Sequence, residues 1–229
     1  MLLRVTFAVV AGLAFVSAGV AKDFQVGSAT IALPSPEGFC ELSEQQPADA
    51  RVINVIDDLV AGTQNELLAV SADCGQLQAW RTGKLPTLDD YAQVQTPVSG
   101  RDADVPRAET VKELCASMRA EGSRTIAEAI PDLNTRVEAA VKGGKFNEAG
   151  FLGVLAEDAG VCYFGLLTKN RTEGGGAEET QVVVSATTVV KGRVVSYSLH
   201  TLYHGPDTAT AALARHRRNV AALLAANGS

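Results

Sequence analysis

Histidine is the side chain best placed to move protons near neutral pH, and this chain has three, His200, His204 and His216. His200 and His204 are four residues apart, with Asp207 shortly after. On a persistent strand two such positions share a face but lie about 13 Å apart at roughly 3.3 Å per residue, too far to hold one metal ion. A bend at His204-Gly205-Pro206 would bring Asp207 toward His204. That makes two ligands, where zinc sites use three or four. Ser196 and Ser198 fall on the same strand face as His200, and alternation along a strand explains this without a nucleophilic pair. His216 falls inside an apolar helical stripe and reads as a core histidine. Trp80, with Arg81 beside it, could stack a ligand, and Tyr91 opens a segment behind the acidic pair Asp89-Asp90. The candidate ligand contacts are therefore His200, His204, Trp80, Arg81 and Tyr91. No catalytic residue, metal ligand or cofactor is assigned, because no G-x-S-x-G, H-E-x-x-H, phosphate-binding glycine loop or dinucleotide fingerprint occurs. Asp57 and Asp58 are neighbours on a helix, where successive side chains point about 100° apart, and read as solvated surface.

The elements that would carry these residues are clearest at the C-terminal end. A two-residue turn at Lys191-Gly192 pairs Thr188 with Val195, Ala186 with Tyr197, Val184 with Leu199 and Val182 with Thr201 on an apolar face. The same register puts Thr187 opposite Ser196, Ser185 opposite Ser198 and Val183 opposite His200 on a mixed face. Such a hairpin belongs in an antiparallel sheet covered firmly on one side and lightly, or by water, on the other. After Gly205-Pro206, with Asp207 or Thr208 as N-cap, Ala209, Leu213, Val220, Leu223 and Leu224 recur at helical spacing. Arg217 lies at the edge of that stripe, and Arg215 and Arg218 lie on its far side.

Upstream, Phe24 to Leu33 reads as a strand, with Phe39 to Leu42 as its partner across Pro34 to Gly38. Pro47 opens a helix with the stripe Val52, Val55, Ile56, Leu59 and Val60, which Gly62 ends. Glu66 to Cys74 reads as a strand, Leu77 to Arg81 as a short one, and Tyr91 to Val98 as another. Arg107 to Lys142 is helical in pieces, with a break or kink at Pro131. Phe151 to Ala156 and Val161 to Thr168 form a further hairpin, and Asn170 to Glu179 is a long loop. The expected fold is α+β: a mostly antiparallel sheet with helices packed on it, α/β/α sandwich-like, ending in a helix after a terminal β-hairpin. The expected organisation is a signal peptide over 1–21 and one α+β domain over 22–229, with a helical section at about 107–142.

Met1 to Ala21 carries Arg4, a nearly uncharged run from Val5 to Val20, and small residues Gly19 and Ala21 before Lys22, the pattern of a secretory leader. This implies a periplasmic or secreted protein with no stable membrane insertion once the leader is removed. The chain has a net charge of −6, unevenly spread. From Thr180 on, Lys191, Arg193, Arg215, Arg217 and Arg218 oppose Asp207 alone, so the acidity lies earlier. An acidic chain with few aromatic residues does not suit nucleic acid. Four cysteines in an exported chain point to disulfides. Cys40 and Cys74 end strand-like runs in the same half, whereas Cys115 lies on a helical stripe and Cys162 in a later strand. Of three possible connectivities, 40–74 with 115–162 is the expected one.

The run Ile31-Ala32-Leu33-Pro34-Ser35-Pro36-Glu37-Gly38-Phe39, with a final long strand feeding a C-terminal helix, resembles the PsbP-like family of small exported α/β/α sandwich domains. The likeness covers about the first 60 residues after the leader and the last 50. It implies an accessory or binding role without shared catalytic residues. Two functions follow as expectations. One is a non-catalytic envelope protein that binds an unidentified protein or small-molecule ligand through its sheet face and the loops at Lys84 to Gly100 or Asn170 to Glu179. The other is an envelope hydrolase using His200 or His204 with a nearby carboxylate.

Overall fold

The computed structural model describes residues 21–140, 145–171 and 178–229. The expected signal peptide up to residue 20, the end of the helical section at 141–142 and most of the expected Asn170 to Glu179 loop lie outside the described residues. A seven-stranded antiparallel sheet runs in the order β3 (Phe39–Glu41), β4 (Asn65–Asp73), β5 (Tyr91–Pro97), β9 (Arg193–Leu202), β8 (Glu178–Val190), β7 (Val161–Arg171) and β6 (Lys145–Asp158). Helices pack on both faces.

The β8–β9 hairpin has the register expected from its sequence, from Val190 opposite Arg193 to Gln181 opposite Leu202. Lys191 and Gly192 both have positive φ, 47° and 77°, the condition for a tight turn whose twist matches that of the strands it joins. A Cβ at Gly192 would lie 1.8 Å from Asp104 Oδ1, so the turn needs glycine for space as well as conformation. The apolar face, with Val182, Val184, Val195 and Leu199 fully enclosed, is covered by α4 (Thr208–Ala226) through Ala212, Val220 and Leu223. The Asn227 side chain fastens the end of α4 by bonding both the N–H and the carbonyl of Ala32.

The opposite, hydroxyl-bearing face is more thoroughly covered than its composition suggests. Ser185, Thr187 and Ser198 are buried, with Ser185 and Ser198 hydroxyls 2.7 Å apart and Thr187 and Ser196 hydroxyls 3.1 Å apart. Cross-strand bonding satisfies these groups, which is what allows them to be removed from water. On this side α3 (Arg107–Ala140) lies against β6, β7 and β8, and α1 (Pro47–Gly62) lies against β4 and α3.

Four local expectations are corrected. Phe24 to Leu33 is two strands, β1 (Lys22–Val26) and β2 (Ala29–Leu33), folded back at Gly27 into a separate two-stranded sheet. Phe39 to Leu42 therefore does not pair with it but starts the main sheet beside β4. Leu77 to Arg81 belongs to a helix, α2 (Cys74–Arg81), because Asp73 caps it by accepting from the N–H groups of Gly75 and Gln76. The helical section runs unbroken through Pro131. Pro131 and Ala127 are exposed, so the carbonyl that loses its helical partner can turn to water.

Both disulfides form as expected. Cys40–Cys74 joins β3 to the first residue of α2, and Cys115–Cys162 joins α3 to β7. Cys115 and Cys162 are 0 % exposed, whereas Cys40 and Cys74 lie at the surface. Thiol exchange requires in-line access to a sulfur, so mild reductant under native conditions will open 40–74 first. Alkylation followed by peptide mass spectrometry checks this order, and removing the inner bridge as Cys115→Ala/Cys162→Ala will cost about 2–5 kcal/mol in denaturant unfolding.

Candidate binding groove at an open sheet edge

The functional geometry begins with a mismatch of lengths. β4 has nine residues and β3 has three, paired only from Phe39 opposite Asp73 to Glu41 opposite Ser71. One further bond, from Leu42 N–H to the Val70 carbonyl at 2.9 Å, ends the contact. Among the described residues no strand lies alongside the outer edge of β4 from Asn65 to Ala69.

The partner on the inner side shows which backbone groups face outward. Val98 N–H donates to the Gln64 carbonyl, and Pro97, which has no N–H, stands opposite Asn65. Alternation then turns the N–H and carbonyl of Asn65 and Leu67 away from β5. The bulge at Leu68 shifts the phase by one residue, so the outward set resumes at Val70.

Glu66 to Val70 of this strand form the floor of a cleft of about 640 Å³. Ile53, Asn54 and Asp57 of α1 form one wall, Lys22 of β1 stands opposite, and the segment from Glu41 to Gln45 closes one end. Val52, Ile53 and Ile56 hold α1 in place by packing with Leu67 and Val70. The lining holds one lysine against four carboxylates. Lys22 pairs with Glu41 at 2.6 Å and Arg101 pairs with Glu66, while Glu44 and Asp57 are exposed and have no ion-pair partner among the described residues.

The residues singled out in the sequence are dispersed. Tyr91 and His200 come together as cross-strand neighbours with rings stacked 4.0 Å apart at 15°. Part of the His200 residue surface remains accessible, but Nε2 is enclosed and has no hydrogen-bond partner. Burial, with a smaller contribution from His216, lowers the His200 pKa to about 3, so the ring is neutral at pH 7. Burial likewise pushes the Tyr91 hydroxyl above its ordinary range. Trp80 packs half-buried in the apolar cluster that holds Leu77 and Tyr91. His216 is 0 % exposed and bonds the Tyr197 carbonyl through Nε2 at 2.7 Å, and burial lowers its pKa to about 4.

Arg81 serves structure. Its Nε and a terminal nitrogen donate to both oxygens of Asp49, at 2.8 and 2.5 Å. Asp49 is 0 % exposed and also accepts from Ser43 N–H. Burial alone would raise its pKa, but the Arg81 bonds, the Ser43 N–H and the guanidinium charge together hold the carboxyl below its usual range. Nothing in the spacing of Asp49 and Arg81 announced this pair, which needs α1 and α2 side by side.

His204 is exposed and lines a separate cleft of about 560 Å³ with Asp207, Thr208, Arg215 and Arg218. No hydrogen bond reaches its ring among the described residues. Arg215 and Arg217 are neutralised by Asp90 and Asp158, so the C-terminal arginines do not form an open basic patch. Among the described residues no group of three or more His, Cys, Asp or Glu could hold a metal, and no helix is long and apolar enough to cross a membrane.

No family model matches the chain, and no curated protein matches it. Among solved structures, a mutant of the protein Mog1 is 12 % identical over 90 % of this chain and 92 % of its own, with a TM-score of 0.33. The Saccharomyces cerevisiae Ran-binding protein Mog1p is 11 % identical over 90 % and 93 %, at 0.31. The extracellular domain of PknH from Mycobacterium tuberculosis is 12 % identical over 73 % and 69 %, at 0.27. Overlays this loose carry no argument about fold or function.

Two outcomes follow from the buried groups. Arg81→Met leaves Asp49 uncompensated and will cost about 3–5 kcal/mol, most of it recovered in Asp49→Leu/Arg81→Met, by urea unfolding. His200 and His216 bind fewer protons folded than unfolded between their lowered pKa values and 6.5. Their contribution is complete above pH 6.5 and is lost as pH falls, toward about 4 for His216 and about 3 for His200, with a slope of up to about 1.4 kcal/mol per pH unit for each ring. His200→Phe will flatten that slope by one histidine's share.

Proposed function

We propose that this chain is an exported binding protein, periplasmic or secreted, without catalytic activity, which holds its ligand in the groove between the outer edge of β4 and α1. The observation that carries this reading is the uncovered edge from Asn65 to Ala69, of which Glu66 to Ala69 lie in the floor of a walled cleft. Outward N–H and carbonyl groups on a fixed strand are preorganised partners for a ligand, and little order need be lost to use them. The leader-like start and two disulfides fit an oxidising compartment. The accessory role implied by the PsbP-like resemblance fits the same picture.

The histidines fit a binding role better than proton transfer. His200 is neutral, stacked and enclosed at Nε2. His204 shares a cleft with Asp207, but no bond between them sets its tautomer or orientation. Native mass spectrometry of protein purified from its own compartment tests the proposal. Asn54→Trp, at an exposed position on the groove wall, will reduce retained ligand at least tenfold, whereas His204→Ala will leave it unchanged. Retention in Asn54→Trp, or turnover on a hydrolase substrate panel that His204→Ala removes, overturns it.

A further inference from the structure

The two ends of the main sheet are treated differently. At one end β6 carries three register shifts, between Phe146 and Glu148, Phe151 and Gly153, and Val154 and Ala156, and Gly153 sits at φ 95°. Interruptions of this kind twist and break an edge, so that another strand cannot extend the sheet there. At the other end β4 has one shift, at Leu68, and its neighbour β3 stops at Glu41. Beyond Leu42 the line that a strand would follow continues as cleft, with α1 on one side and β1 on the other.

We infer that this line is filled by an extended segment of another polypeptide, with lysine or arginine at alternate positions, that adds to β4 as a strand. The inference rests on the groove being the binding site, and it names the ligand class. The open stretch from Asn65 to Ala69 is five residues, about 17 Å at roughly 3.3–3.4 Å per residue, enough for a short strand. Outward groups on Asn65 and Leu67 give backbone affinity, and the walls select alternate side chains, which is how strand addition divides affinity from specificity. Charge decides the side chains. Glu44 and Asp57 face the cleft without an ion-pair partner among the described residues, and the lining is acidic overall. The same charge argues against a second copy of this chain, because apposing two β4 edges would bring two acidic linings together.

The probe is an acetylated, amidated nonapeptide of alternating lysine and valine, added to the full chain after leader removal. Amide hydrogen exchange at Asn65 and Leu67 will slow at least tenfold at saturating peptide. By fluorescence anisotropy, methylating alternate backbone nitrogens of the peptide will weaken binding at least tenfold, and a glutamate–valine version will not bind. Asp57→Asn and Glu44→Gln, both at exposed positions, will each weaken binding about two- to fivefold. Unchanged exchange at Asn65 and Leu67 in millimolar peptide overturns the inference. Equal binding of the methylated peptide does so too, since it would show a charge contact without strand pairing. A concentration-dependent dimer that protects the same two amides would overturn it in favour of self-association. If the peptide fails while Asn54→Trp still strips the native ligand, the groove reading stands and the peptide class falls. If both fail, both fall.

Discussion

The register of the β8–β9 hairpin is the constraint from which the rest of the molecule follows. With Lys191 and Gly192 held at positive φ, each residue from Gln181 to Leu202 is assigned to one face or the other. A slip of one place would turn Val182, Val184, Leu199 and Tyr197 away from α4 and put hydroxyls against it. Arg193 secures the turn end, donating to the carbonyls of Val26 and Ala103 and to the Ser28 hydroxyl. It is 5 % exposed with oxygen acceptors around its guanidinium, which ties the β1–β2 turn and the approach to α3 to the central hairpin.

From that centre the sheet grows outward in both directions and meets two different boundaries. Toward β6 the strands stay long and the β6–β7 pairing becomes irregular, and α3 lies along them. At the other edge, nine-residue β4 is followed by a β3 of three residues. β3 is anchored by Cys40–Cys74 and by the cap of α2 at Asp73, and the chain then leaves the sheet to reach Pro47. The groove is what remains of a strand position that none of the described residues fills. Its α1 wall is held in place by an apolar cluster on the sheet and by the pair between buried Asp49 and Arg81 of α2.

The side chains with the most chemical capacity were largely absorbed by packing. His216 became a bond to a strand carbonyl, His200 a stacking partner for Tyr91, and Arg81 the counter-charge of a buried carboxylate. Enclosure holds both imidazoles neutral, which removes the proton exchange that made them candidates. The groove is lined instead by ordinary residues whose value lies in position: backbone groups of β4, and carboxylates that α1 and the preceding segment happen to present.

The sequence by itself determined what is local or periodic. The two-residue turn at Lys191-Gly192, the alternation along β8 and β9 and the stripe of α4 follow from spacing, because each depends on residues close in sequence, and the cysteine pairing was one choice among three, guided by the elements that carry the cysteines. Segment types failed where a single capping bond decided them, as at Asp73, or where exposure excused a proline, as at Pro131. Tertiary structure alone decided which strand Phe39 joins, that Asp49 meets Arg81 across two helices, and that β4 outruns β3. An unfilled strand position is a relation between elements of unequal length. It leaves no mark on the composition of either one, so only the assembled sheet could reveal it.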